Sequence, residues 1–337
     1  MKKRVAINGL GRIGNQVLRH YIHKLPENCE IVAANTSSVE DAAYLLKYDS
    51  VHGRADFSIE TEGNEKLIVD GHEIAIVSSH NPLELPWKEL GIDIVLECTG
   101  HFTEGSAAAQ HITAGAKKVL ISAPGKNVDK TIVLGVNHAE YDPANHHVVS
   151  NASCTTNSLA PAMKVLEESF GVQNAMITTT HAYTSSQTTV DKRAKKRRRG
   201  RAAAVNIIPT TTGAAVATTE VIPSLKGKME AMALRVPVPD GAITEIVAVL
   251  NKEVTAEEVN AAFEMAANGE LKGILEYTTD EIVSTDILGN RHSSIIDGLS
   301  TAVVGGRMVK VMAWYDNEYG YSQRLLELAD FVAGKMD

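Results

Sequence analysis

The chain has 337 residues, 44 % of them apolar, with 41 acidic against 33 basic side chains and a formal charge of −8. That composition belongs to a globular protein and excludes the disordered, collagenous and coiled-coil classes; at about 100–200 residues per domain the length predicts two domains. No run of about 18 apolar residues marks a membrane span, and the acidic average disfavours nucleic acid as a partner.

The first residues lead directly into a strand-like run at 4–8, so no signal or transit peptide is expected. Residues 12–23 then read as a helix, with Ile13, Val17, Leu18, Tyr21 and Ile22 toward its inner face. A second strand is predicted over 30–35. Further buried strands are predicted at 74–78, 92–97, 118–122, 130–134 and 147–150. Strands alternating with helices predict an α/β domain with a mostly parallel sheet. After about residue 153 the pattern changes. One helix carries Leu159, Met163, Leu166 and Phe170 at spacings of four, three and four, and Pro161 within it is expected to remove one backbone donor or bend the axis. Alternating strands over 175–181, 229–237, 242–250 and 307–314 then predict a second, mostly antiparallel sheet. A final helix is expected over 322–336.

Three cysteines, Cys29, Cys98 and Cys154, are too few and too scattered for a disulfide framework or a four-ligand zinc site. A reducing, cytoplasmic setting and no metal are expected. Residues 192–201, KRAKKRRRGR, hold eight basic side chains and no acidic one, so the rest of the chain carries −16. Such a run reads as a solvated loop, as a clamp for a small anion, or as a polyanion-binding segment.

Gly9, Gly11 and Gly14 stand as Gly-x-Gly-x-x-Gly between the first strand and the first helix. In that context the glycines permit a tight turn and let backbone N–H groups approach a pyrophosphate at a helix N-terminus. A dinucleotide site of this kind commonly has Asp or Glu at the end of the second strand, holding the ribose hydroxyls. This chain has Asn35-Thr36-Ser37-Ser38 there. Hydroxyls can donate to a 2′-phosphate that a carboxylate would repel, so the expected cofactor is NADP, with NAD possible; Glu40 or Asp41 would be the acidic substitutes.

Cys154 differs from the other two cysteines in its polar surroundings, Ser153-Cys154-Thr155-Thr156-Asn157, and in preceding a predicted helix. Backbone N–H groups and the helix dipole at such a place are expected to lower a thiol's pKa. A nucleophilic thiol needs a base. Among 12 histidines, His181 at the end of a predicted strand is one of several candidates.

Seven segments in order carry a resemblance that spans the chain: NGLGRIG (8–14), LKYDSVHG (46–53), SNASCTTN (150–157), HAYT (181–184), IPTTTGAA (208–215), LRVPVP (234–239) and WYDNEYGYS (314–322). Together they resemble the phosphorylating glyceraldehyde-3-phosphate dehydrogenases, of an NADP-preferring type. The resemblance implies a Rossmann-type dinucleotide-binding domain over residues 1–153 and an α+β catalytic domain with a mostly antiparallel sheet over 154–317. It also implies a last helix, 318–337, that packs back onto the first domain, and a homotetramer in a glycolytic or gluconeogenic role. It makes Cys154 the nucleophile and His181 the general base. Thr184, Ser186 and Arg235 become the site for the substrate phosphate of glyceraldehyde 3-phosphate. Ser153, Thr155, Thr212 and Gly213 become the site for inorganic phosphate, with Arg199 in the nearby loop. Further cofactor contacts fall on Arg12, Ile13, Thr99, Gly100, Ser122, Asn317 and Tyr321.

Two departures from the family's NAD-selective pattern point to a 2′-phosphate: Thr36 in place of an aspartate, and Lys192-Arg193 in place of Leu-Pro. In the family tetramer that loop approaches a neighbouring subunit's cofactor, so this site would be completed in trans. Ser158 replaces a frequent cysteine. An erythrose-4-phosphate dehydrogenase on the same scaffold is the near alternative, although it would not call for an inorganic-phosphate cluster. Aspartate-semialdehyde dehydrogenase shares only the layout of glycine loop, cysteine and histidine.

Overall fold

The computed structural model describes residues 1–336, and the chain forms two compact units. The first comprises residues 1–132, 138–153 and those from 321 onward; the second comprises 133–137 and 154–320.

The first unit opens with β1 (Lys3–Asn8), α1 (Arg12–His23), β2 (Cys29–Asn35) and α2 (Val39–Lys47). A two-residue hairpin, β3 (Tyr48–Asp49) and β4 (Gly53–Arg54), follows. Next come β5 (Ile59–Glu62), β6 (Lys66–Val69), β7 (His72–Val77) and β8 (Ile94–Glu97). The short helices α3 (Gly105–Ala108) and α4 (Gln110–Thr113) lead to β9 (Lys118–Ile121), β10 (Lys130–Thr131) and β11 (Val148–Ser150). The nine-stranded sheet has the order β10-β11-β9-β8-β1-β2-β7-β6-β5. It is parallel from β10 to β7, and β6 and β5 add an antiparallel edge. All four residues of β8 and of β9 are buried, as central parallel strands covered on both faces require.

Helix α1 has the predicted bounds but not a simple amphipathic face: every residue from Gly14 to Tyr21 is buried. Arg19 and Gln16 find partners at the end of α2 and in the β3–β4 hairpin. Arg19 Nη2 donates to Leu46 O at 2.7 Å and to Gly53 O at 3.1 Å, and Gln16 donates to Asp49 at 3.1 Å. Burial without such partners would cost about 1–3 kcal/mol per group. The β5–β6 hairpin and α2 are absent from the sequence reading because each is short and weakly patterned.

The second unit begins with α5 (Cys154–Phe170) and β12 (Val172–Ala182), then β13 (Ile208–Thr211), α6 (Ala214–Val221), β14 (Met229–Val236) and β15 (Ala242–Leu250). It continues through α7 (Ala256–Asn268), β16 (Leu275–Thr278), β17 (Ser294–Asp297), β18 (Ala302–Val304) and β19 (Met308–Tyr315); the last helix, α8 (Tyr319–Gly334), belongs from Tyr321 onward to the first unit. The sheet order is β13-β14-β12-β15-β19-β17-β16, with β18 on β19, and it is mostly antiparallel. The exceptions are the parallel pairs β12–β14 and β16–β17.

Leu159, Met163 and Leu166 of α5, with Val259 and Phe263 of α7, bury against Ile177, Ile246 and Val311 of the sheet. Pro161 lies inside α5 and is fully enclosed. Helix α7 was not predicted, yet its start was legible. Thr255 and Glu258 form a capping box, each side chain accepting the other's backbone N–H. Among the described residues no helix is long and apolar enough to cross a membrane.

Candidate active site and dinucleotide cleft

In the first unit the glycine turn has the geometry its sequence calls for. Gly9 has φ of +100°, and a Cβ on Gly14 would lie 2.2 Å from Gly9 O, so only glycine closes this turn. No side chain caps the start of α1, and an added Cβ at Gly11 would meet nothing within 4 Å. The turn therefore presents backbone to open space at a helix N-terminus, which suits a pyrophosphate. Gly9, Gly11, Asn35, Thr36 and Thr99 line one cleft of about 320 Å³, together with Ser78, His80 and His101. No carboxylate lines it. Glu40 belongs to an adjoining hollow of about 490 Å³ that shares Thr36, Ser37 and Ser78.

The other expected cofactor residues of this unit have separate placements. Arg12 makes a two-pronged ion pair with Asp49, at 2.6 and 3.2 Å, and together with the Val51 and His52 N–H groups it holds that carboxyl down at about 2 against the opposing effect of burial. Ile13 and Ser122 are half-buried, and Gly100 has φ of +73°. The Tyr321 hydroxyl donates to Ala152 O at 2.9 Å. Ala152 is a non-glycine residue at φ 55°, fully buried, with its N–H on Ser150 Oγ at 3.0 Å. Such a conformation costs on the order of 1 kcal/mol or more and persists where surrounding bonds enforce it. Here it turns the chain between the end of β11 and the half-buried Ser153.

In the second unit Cys154 is the first residue of α5, and His181 is near the end of β12. They are 27 positions apart, and the fold brings Cys154 Sγ to 3.5 Å from His181 Nε2. The parallel β12–β14 register pairs His181 with Arg235. Arg235 Nη1 lies 2.5 Å from His181 Nδ1 and donates to Ala182 O at 2.7 Å; Nδ1 itself lies 2.8 Å from that carbonyl. Nδ1 thus faces both a carbonyl acceptor and a guanidinium donor, and Nε2 is the ring nitrogen that faces the thiol.

The protonation states differ from the sequence expectation. Burial pushes the Cys154 thiol up, while the Arg235 charge and the hydroxyl and N–H of Thr155 pull it back. Burial, then the Arg235 charge, push His181 down to about 3. Burial thus opposes the charged form of both the thiol and the imidazole in the free protein. A helix start alone would lower the thiol; enclosure outweighs it because the charged form loses its hydration.

Two threonine hydroxyls, one on α5 and one on β12, meet at Tyr315. Thr155 Oγ1 and Thr179 Oγ1 lie 2.9 and 2.8 Å from the Tyr315 hydroxyl, whose ring meets His181 edge-on at 5.9 Å between centroids. Sequence reasoning quoted Tyr315 within a motif but assigned it no part.

Thr184, Ser186 and Arg199 form a second cluster. Thr184 Oγ1 and Ser186 Oγ are 2.9 Å apart, and Arg199 reaches Ser186 at 3.4 Å, Thr210 at 2.9 Å and Thr211 O at 3.3 Å. Thr212, which precedes the N-cap Gly213 of α6, accepts the Ala214 N–H at 3.2 Å. Lys192 and Arg193 line a hollow of about 780 Å³ with Lys195 and Arg197. The basic loop is pinned at its neck. Arg201 pairs with Asp191 at 2.7 Å, Lys192 N–H donates to Gly200 O at 2.7 Å, and a Cβ on Gly200 would lie 2.1 Å from Lys192 O. Asn317 Oδ1 is buried with no hydrogen-bond partner among the described residues.

Comparison with known proteins agrees with this geometry. Residues 3–105 match the family "Glyceraldehyde 3-phosphate dehydrogenase, NAD binding domain", and residues 153–317 match "Glyceraldehyde 3-phosphate dehydrogenase, C-terminal domain". The chain is 55 % identical over 336 residues to glyceraldehyde-3-phosphate dehydrogenase of Geobacillus stearothermophilus, covering 99 % of each. It is 53 % identical over 341 residues to that of Streptomyces coelicolor, covering 100 % of each. A thiol–imidazole pair in one unit, a glycine-turn cleft in the other and this identity along the whole chain place it in the glyceraldehyde-3-phosphate dehydrogenase family.

Proposed function

We propose that this chain oxidises the aldehyde of glyceraldehyde 3-phosphate and transfers the resulting acyl group to inorganic phosphate, giving 1,3-bisphosphoglycerate. The carrying observation is Cys154 Sγ at 3.5 Å from His181 Nε2. Nε2 takes the thiol proton as sulfur attacks the aldehyde carbon, forming a hemithioacetal. The Cys154 N–H and the protonated imidazole hold the oxyanion, and the imidazolium then returns its proton to that oxygen, giving the hemithioacetal hydroxyl and a neutral ring. His181 then accepts the hemithioacetal hydroxyl proton as the carbon loses hydride, and the product on sulfur is a thioester. A bound nicotinamide dinucleotide supplies the hydride acceptor. Phosphate oxygen attacks the thioester, and the Cys154 thiolate leaves.

Arg235 and Arg199 both hold His181 down in the free protein. An anionic substrate held by Arg235 and the Thr184–Ser186–Arg199 cluster offsets those charges and raises the proton affinity of the base when it is needed. Ser153, Thr155, Thr212 and Gly213 serve the second anion.

The reading extends to NADP as the preferred cofactor, with NAD accepted. It is supported by Thr36 and Ser37 in a cleft without a carboxylate, and by Lys192 and Arg193 lining a hollow with Lys195 and Arg197. Asn317 and Tyr321 belong to the nicotinamide end. A homotetramer in the cytoplasm, with the basic loop serving a neighbouring subunit, completes the reading. Exposed Met176, Val205, Ile207 and Val216 in the second unit supply apolar surface for such contacts. Initial rates with glyceraldehyde 3-phosphate, with and without phosphate and with each cofactor, test all of this. Turnover is expected to require phosphate and to show higher kcat/KM with NADP, and Thr36→Asp should move the preference toward NAD. Phosphate-independent turnover would favour water as acyl acceptor, and a clear NAD preference would remove the 2′-phosphate reading.

A further inference from the structure

Behind the dinucleotide cleft lies a buried polar chain with one direction of proton donation. The Trp87 indole N–H donates to His111 Nδ1 at 2.9 Å. Indole nitrogen is a donor only, so Nδ1 carries no proton and Nε2 does. Nε2 lies 3.2 Å from Glu97 Oε2. Asn8 Nδ2 reaches the same oxygen at 2.5 Å, and Thr99 directs its backbone N–H, at 2.8 Å, and its hydroxyl at Oε1. Asn8 Oδ1 in turn accepts from Asn35 Nδ2 at 2.7 Å. Asn35 also bonds both the carbonyl and the N–H of Ser79, at 2.8 and 3.0 Å. Glu97, His111, Trp87 and Asn8 are each no more than 1 % exposed. Four donors from three segments hold the carboxylate, and a buried anion is tolerable on such terms.

Three segments tied into this network shape the cleft. Asn8 precedes Gly9, Asn35 precedes Thr36, and Thr99 packs on the glycine turn, its Cγ2 lying 2.9 Å from where a Gly9 Cβ would be. We propose that Glu97 is the positioning residue for dinucleotide binding: one buried carboxylate sets the glycine turn, the end of the second strand and the Thr99 segment in register with one another. This rests on the reading of the cleft as a nicotinamide dinucleotide site. Glutamine at 97 keeps the shape but replaces one acceptor oxygen with a donor. The amide must then face either the two Thr99 donors or those of Asn8 and His111, and one cleft-lining segment shifts.

The test measures dissociation constants for NAD and NADP by calorimetry, with melting temperatures alongside. Glu97→Gln is expected to weaken the preferred dinucleotide at least tenfold, raise its KM, and leave kcat at saturation within about threefold. Asn8→Ala, which severs Glu97 from Asn35, should weaken binding at least threefold and serves if the first variant does not fold. Trp87→Phe removes only the remote donor; it should lower the melting temperature and leave the dissociation constant within twofold. Wild-type binding with unchanged affinity in a folded Glu97→Gln or Asn8→Ala protein would overturn the proposal, as would a Trp87→Phe loss as large as theirs, which marks mere packing. Failure of the wild-type chain to bind either dinucleotide would instead overturn the reading of the cleft.

Discussion

Replacing Cys154 with serine should reduce dehydrogenase turnover by about 10⁴-fold or more, a loss of the size seen when a covalent nucleophile is removed. The hydroxyl occupies the same place, but it is a far weaker acid than the thiol. Its proton would have to pass to an imidazole that burial and the Arg235 charge already hold down to about 3. The dinucleotide cleft is built from residues of the other unit, so dinucleotide affinity in Cys154→Ser should remain within twofold of wild type. Steady-state rates and calorimetry on one preparation check both parts. Turnover within tenfold of wild type would remove Cys154 as nucleophile.

His181→Gln should lose about 10²–10⁴-fold in kcat, the range for a positioned general base. It should also change how stability depends on pH. The imidazole ordinarily titrates near 6.5 and in the folded protein near 3, so below 6.5 the unfolded chain binds a proton that the native protein refuses. The stability due to the neutral, buried imidazole is thus complete above 6.5. It is lost as pH falls toward 3, at up to about 1.4 kcal/mol per pH unit. Urea midpoints between pH 7 and pH 4 should fall more steeply for wild type than for His181→Gln. Equal slopes would show that the imidazole is not held neutral, and that the base already carries its proton in the resting site.

The two results bear on different levels of legibility. The glycine turn was readable because its demands are local: Gly14 must leave room for Gly9 O three residues into the helix, and no other residue does so. Helix α1 and the change from a parallel to a mostly antiparallel sheet were readable for a similar reason, since periodicity reports which faces are covered. Cys154 could be marked as a candidate from its polar setting before a helix. His181 could not be separated from eleven other histidines without the family resemblance, because strand order and register place it beside Cys154 and pair it with Arg235.

What the amino-acid sequence determined by itself is the chemistry on offer: a phosphate-binding turn, one thiol at a helix start, hydroxyls where a carboxylate is common, and a dense basic loop. Tertiary structure decided which groups meet and in what protonation state. The thiol's pKa goes up rather than down because enclosure removes hydration that a helix dipole does not replace. Glu97, ordinary in sequence at the end of a buried strand, becomes the meeting point of four donors because β8 lies beside β1 and α4 brings His111 against it. Local patterns encode turns, caps and faces, whereas long-range pairing and burial set the geometry and charge of a site, and these exist only once the strands are in register.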